Sequence, residues 1–298
     1  MDKLLVILFL LTGFYGMGQT EDISKLRQQI RSHPDRDTFL VNRLIELCQF
    51  PALSVSSRDS AANEALNIAR EIDYSKGEIR ALTYLGIVKF QQVGLEEGIP
   101  IFNQALEIAK SEGELKLQIE ILSILGQIKM GSSFQLSSIN DLMEAEALGH
   151  KLPDKSLLSS IQGSISSYYV VVQTDLPLAM EWAFKSQNTT NAMECTECLE
   201  SAWVQIGTIY SMIGDQEQSL LHFQKAMKSM EDRGEEKSKK SPDRCVGLSG
   251  ADYYFGGSTA PKQQAKAKSQ CLVESAKTRN RFQGAGAGPA EGGFATLV

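Results

Sequence analysis

Apolar and polar positions alternate along most of this chain with the three-to-four residue spacing of amphipathic helices, and the helical runs come in pairs. Ser201 to Met227 shows the unit most clearly, as SAWVQIGTIYSMIGDQEQSLLHFQKAM. Trp203, Ile206, Gly207 and Tyr210 lie on a first run, Gly214-Asp215 interrupts it, and Ser219, Phe223 and Ala226 give a small, aromatic, small series on a second. From the Gly207 slot backwards, equivalent positions fall at Ser167, Gly126, Gly86 and Glu46, separated by 40, 41, 40 and 40 residues. A slot where two helices approach closely needs a small side chain. The matching second-run slot holds Ala65, Ala105, Ala145, Ser186 and Ala226. The slot three residues earlier holds Ala62, Phe102, Leu142, Ala183 and Phe223, and the slot seven residues earlier holds Arg58, Gly98, Ser138, Ala179 and Ser219, where only Arg58 misfits.

This periodicity predicts an all-α chain of about five helix-turn-helix repeats with a period near 40, which stack because no single pair can bury its own apolar face. The repeats are placed at about 38–72, 76–112, 114–151 and 154–187, with the fifth running to about 240. In the second, Gly94 to Glu97 is read as the turn and Pro100 as a first-turn residue, where a missing backbone donor costs least. The fourth is degenerate, with Gly163, Ser166 and Ser167 where the others carry larger apolar residues or glycine, and is expected to pack loosely. Its stretch Tyr168 to Val172 has strand propensity, but the repeat register assigns it to a helix. A short helix within 21–35, with Ile23, Leu26 and Ile30 on one face, is read as the cap of the first repeat.

The unit resembles the tetratricopeptide repeat, on the W-x2-L-G-x2-Y spacing of Trp203, Ile206, Gly207 and Tyr210 and on the later Phe223 and Ala226. Gly86, Ala105, Gly126 and Ala145 continue the signature in the earlier copies. The resemblance covers about residues 38–240 and implies a right-handed superhelical solenoid. The long repeats, the apolar N-terminus and the opening SKLRQQIRSHPDRDTFLVNRLIELC also look like the exported sensory half of bacterial histidine kinases and transcription regulators. In such proteins a membrane-spanning helix and an output domain follow the array. Neither is recognisable here, so the signalling reading is an analogy of fold and order.

Residues 1–18 read as a signal peptide, with a charged start, the apolar run Leu4 to Leu11 and small residues Gly16 and Gly18 before a cleavage placed ahead of Gln19. The product is therefore expected to be exported, to the periplasm, and not to be an integral membrane protein, since no other run approaches the roughly 20 apolar residues of a span. Residues 241–298 depart from the pattern. They hold nine of the 24 glycines and seven Lys or Arg against four Asp or Glu, and after Val246-Gly247 at the next reference slot the repeat fails. Two readings stand, a disordered polar tail or a reading frame that changes near Gly247.

A net charge of −6 and the absence of a basic cluster before the last quarter argue against a nucleic-acid partner. No phosphate loop, nucleophile elbow, metal motif or cofactor motif occurs, so the chain is read as non-enzymatic. Cys195 and Cys198 are the one close cysteine pair. Without the strand-helix context of a thioredoxin fold they are read as a local disulfide or two inert thiols, with a thiol redox protein as the competing reading. Cys48 is assigned to the core. The expected binding site is the concave groove lined by the first helices. Its solvent-facing positions are read as Arg80, Thr83, Phe90 and Gln91, then Glu120, Ser123, Gln127 and Met130, then Tyr168 and Val171, and finally Val204 and Thr208. That mixture of apolar and hydrogen-bonding groups suits a protein or an extended peptide.

Overall fold

A computed structural model describes residues 22–193 and 195–237, without the side chains of residues 197 and 233–237. The signal-peptide, cleavage-site and tail expectations, with Cys245 and Cys271, lie outside the described residues. Among the described residues the chain is an all-α solenoid. A helix over residues 22–32, α1, precedes α2 (Thr38–Cys48), α3 (Val55–Glu71), α4 (Ser75–Val93), α5 (Leu95–Ser111) and α6 (Leu115–Met130). Then come α7 (Ser138–Gly149), α8 (Ser156–Tyr168), α9 (Leu176–Asn191), α10 (Thr196–Ile213) and α11 (Gln216–Lys237). From α2 on, each helix packs on the next, and the even-numbered helices α2, α4, α6, α8 and α10 also touch one another in a row. The first helices of the five pairs thus form one continuous layer.

The ends of these helices are written locally. Asp37 accepts a hydrogen bond from the Leu40 amide to start α2, Asp175 from that of Leu178 to start α9, and Asp215 from that of Gln218 to start α11. Left-handed turn residues recur with the repeat, Asp73 and Gly113 between pairs, and Gly94, Thr174 and Gly214 within them. At Gly214 (φ 95°) the amides of Gly214 and Asp215 both donate to Tyr210 O, which closes α10 and aims α11 back along it.

Packing within the second, third and fifth pairs follows a volume rule. An added Cβ at Gly86 would lie 2.9 Å from the Phe102 ring, at Gly126 2.5 Å from Leu142 Cγ, and at Gly207 3.0 Å from the Phe223 ring. In each case the large side chain comes 16 residues after the glycine and fills the space the glycine leaves. Ala105, Ala145 and Ala226 are fully buried one turn further on, while Trp203 and Tyr210 are half-buried. The main apolar core runs from Ile23 and Leu26 of α1 to Tyr168 and Trp182. A smaller one, of Ala179, Ala183, Ile206 and Ile209, continues into the fifth pair.

Three expectations need correction. Gly94 alone makes the turn of the second pair, because α5 begins at Leu95. Pro100 is therefore its sixth residue, in the second turn, and its missing N–H leaves the Glu96 carbonyl without the usual partner. The fourth pair is not loosely packed, since its small polar residues are buried and bonded. Ser159 Oγ lies 2.5 Å from Thr190 Oγ1, and Ser186 Oγ donates to Ser159 O at 2.8 Å. Ser166 Oγ donates to Ala179 O at 2.7 Å. Hydroxyl-to-backbone bonds join α8 to α9 where the second, third and fifth pairs use an aromatic or leucine. The β-prone stretch is helical, as the repeat register requires. After α8 it continues as one π-helical turn, Tyr169–Gln173, which ends at Thr174 with φ 56°.

Gly98 tests how close the paired backbones are. A Cβ there would lie 2.9 Å from the carbonyl oxygen of Gly86, backbone that cannot swing aside. Gly98→Ala is expected to destabilise the protein by about 1–3 kcal/mol in urea unfolding, against the small gain ordinarily given by Gly→Ala within a helix.

Candidate functional site

The layer of first helices presents one stripe to solvent in the second and third pairs. Positions one turn apart on α4 (Lys76, Arg80, Tyr84) stand beside those 40 residues later on α6 (Lys116, Glu120, Ile124). Lys76, Arg80 and Lys116 are exposed, while Tyr84, Glu120 and Ile124 are half-buried. At the corresponding places on α8, Ile161 and Ile165 are fully buried. The open stripe of the second and third pairs is therefore interrupted at the fourth, and Ser201 and Gln205 reopen it on α10.

Of the residues expected in the groove, Arg80, Gln91 and Val171 are exposed, and Phe90, Glu120, Met130, Val204 and Thr208 are half-buried. Phe90 and Met130 pack their inner edges on the main core. Thr83, Ser123, Gln127 and Tyr168 are not solvent-facing. Thr83 Oγ1 donates to Ile79 O at 2.8 Å, within its own helix. Gln127 Nε2 donates to Ser164 Oγ on α8 at 2.9 Å and to Ser123 Oγ at 3.2 Å, a bridge inside the seam between first helices. Tyr168 is buried with its hydroxyl accepting from Gln173 Nε2 at 2.9 Å. The cause is the close lateral packing of the first helices, which turns these positions into the helix–helix contact. A signal for this was present, since Thr83, Ser123 and Ser164 recur at the repeat spacing and a small residue repeated at one slot marks a close approach. Tyr84, Lys116 and Ile124 are missing from the expected set, although each lies one helical turn from Arg80 or Glu120 on the same face.

Glu120 is the one carboxylate of the stripe with a displaced equilibrium. Burial raises its pKa above the ordinary 4.5, and the nearby Lys116 and Arg80 pull it back only in part. A group held ionised at neutral pH against its surroundings costs stability.

Cys195 and Cys198 form a disulfide at the start of α10, and Cys48 is a buried free thiol in α2. Burial pushes the Cys48 pKa up to about 12. Among the described residues no group of three or more His, Cys, Asp or Glu is gathered as metal ligands would be, and no helix is long and apolar enough to cross a membrane.

Similarity to known proteins lies in the fold. The chain is similar to the crystal structure of BtubC (BKLC) from P. vanneervenii, with a TM-score of 0.53 and 12% identity over 83% of this chain and 98% of that one. It is also similar to a signal transduction ATPase with numerous domains from Pyrococcus horikoshii, described as having a tetratricopeptide repeat sensor. There the TM-score is 0.55 and the identity 13%, over 88% of this chain and 41% of that longer one. The chain is a helical-repeat protein. No family model matches the sequence, and no match is found among curated proteins.

In this helical-repeat protein, Glu120→Gln removes an ionisable group whose folded-state pKa lies above its unfolded one. The native state then binds more protons than the unfolded state between the two values, so wild-type stability falls as pH rises through that window and stays lower above it. The variant is expected to have the higher melting temperature at pH 7, with the difference vanishing below about pH 4. Thermal unfolding at several pH values checks this.

Proposed function

We propose that this protein is a non-enzymatic scaffold of the tetratricopeptide repeat type, which holds a protein or an extended peptide on its layer of first helices. One observation carries the reading: that layer is continuous, and in its second and third pairs it brings cationic, anionic and apolar groups to one open stripe. Arg80 and Lys116 give charge, Glu120 gives an acceptor at a cost to stability, and Tyr84, Ile124 and Met130 give half-covered apolar surface. Carboxylates kept against their own desolvation cluster at functional sites. The 16-residue pairing of Gly86, Gly126 and Gly207 with Phe102, Leu142 and Phe223 supports the repeat type, as does the sensor named in the Pyrococcus structure's description.

The apolar N-terminus supports export to the periplasm. The second reading, the input half of a signalling protein, is favoured by the same Pyrococcus likeness, in which the array is a sensor within a longer chain.

A phage-displayed random peptide library panned on the purified protein tests the binding role. Selected peptides are expected to lose about tenfold or more in affinity on Arg80→Glu and on Met130→Ala, with the helical circular dichroism unchanged, as replacement of a contact of 1.4 kcal/mol requires. Peptides that bind these variants and wild type equally, or a library with no enrichment, would count against the groove.

A further inference from the structure

The cysteine pair at the start of α10 stands apart from the groove reading. Cys195 is the residue that caps α10, and its Sγ accepts a hydrogen bond from the Cys198 amide at 3.4 Å. The two are bonded to each other with a Cα–Cα distance of 5.4 Å, and both are half-buried.

A disulfide that staples a fold joins segments distant in sequence, because the chain entropy it removes grows with the loop it closes. This one has a sequence separation of 3 and lies within a single helical turn. It ties no two elements together. The helix it begins is already anchored by Ala202, Ile206 and Ile209, all buried. What distinguishes the site is chemical. A sulfur at a helix N-terminus is stabilised as thiolate by the unsatisfied amides and the helix dipole, which lowers its pKa and makes it the reactive member of a C-x-x-C pair. Opening the bond also requires no refolding, because Cys195 can go on accepting the Cys198 amide in either oxidation state. Cys48, buried in α2 and bonded to Leu44 O at 3.3 Å, is shielded from exchange with the pair.

We propose that Cys195 and Cys198 are a reversible two-electron couple that exchanges with dithiols and disulfides, a redox site on the turn between the fourth and fifth pairs. In the reducing direction a partner thiolate attacks Cys195 Sγ. The Cys195–Cys198 bond breaks, a mixed disulfide forms on Cys195, and Cys198 leaves as thiolate and takes a proton. The partner's second thiolate then attacks the partner sulfur of the mixed disulfide. This releases Cys195 as thiolate and the partner as its own disulfide, so two electrons have passed from the dithiol to the pair. The oxidising direction is the reverse, with the Cys195 thiolate attacking first.

The probe is dithiothreitol. The full chain is equilibrated across a series of reduced-to-oxidised dithiothreitol ratios and quenched with a thiol-alkylating reagent, and the peptide carrying both cysteines is weighed. The expected result is one two-electron transition that retraces on reoxidation while helical circular dichroism stays constant. In the fully reduced protein Cys195 is expected to be alkylated about tenfold faster than Cys198, with Cys48 unmodified in the folded state. Cys198→Ser keeps the cap sulfur and should leave Cys195 reactive at every ratio. A pair that stays reduced in the most oxidising mixture, a transition that occurs only with loss of helix, or a Cys195 slower than Cys198 would each overturn the proposal.

Discussion

The second, third and fifth helical pairs depend on how much volume two facing side chains share between the first helix and the second. Gly86 faces Phe102, Gly126 faces Leu142 and Gly207 faces Phe223, each glycine leaving room for one large side chain. The fourth pair reverses the bargain. Ser167 occupies the glycine slot and Ala183, fully buried, stands where the second, third and fifth pairs have an aromatic or leucine, as Ala62 does in the first pair. Interiors are packed to crystal density, so neither partner of such a couple can change size alone. Close approach here is also what brings Gly98 against the Gly86 carbonyl and seats the small residues Ala105, Ala145 and Ala226 one turn away.

Filling the couple with serine and alanine has a consequence beyond the pair itself. The apolar core divides into two clusters at this point, and polar groups add to the joints of α8 with α9 and α10: Ser159 with Ser186 and Thr190, Ser166 with Ala179 O, and Gln205 Nε2 to Gly163 O at 2.7 Å. Because these groups are bonded, the polar joint avoids the penalty of unsatisfied burial. The same crossing from apolar to polar packing separates the open stripe of the second and third pairs from the disulfide-capped start of the fifth.

The pairing of helices was legible in the sequence because it rests on size, and size recurs at a fixed period. Gly86, Gly126 and Gly207 align with their partners on the 16-residue spacing of the sequence alone. The groove was legible only in part. Arg80 and Gln91 are exposed as their slots imply, but Thr83, Ser123 and Gln127 are drawn into the seam, because the lateral distance between first helices is set by the whole array and not by any one repeat. The hydroxyl bonding of the fourth pair was hidden for a similar reason. Serine has no strong periodic signature, and whether its hydroxyl is satisfied depends on partners 27 to 31 residues away, such as Ser186 and Thr190 for Ser159. Pro100 misled because a proline in the second turn is tolerated when its position is exposed.

The most direct measurement is a double-mutant cycle that rebuilds the fourth pair's couple inside the third, with Gly126→Ser, Leu142→Ala and both together, each followed by equilibrium urea unfolding. If shared volume governs the pair, the serine alone costs about 1–3 kcal/mol by overpacking and the alanine alone about 2–5 kcal/mol by leaving a cavity. Together they then cost less than the sum by about 1 kcal/mol or more. Costs that simply add, to within about 0.5 kcal/mol, would show that the two positions do not share a space and would contradict the packing rule on which the repeat reading rests.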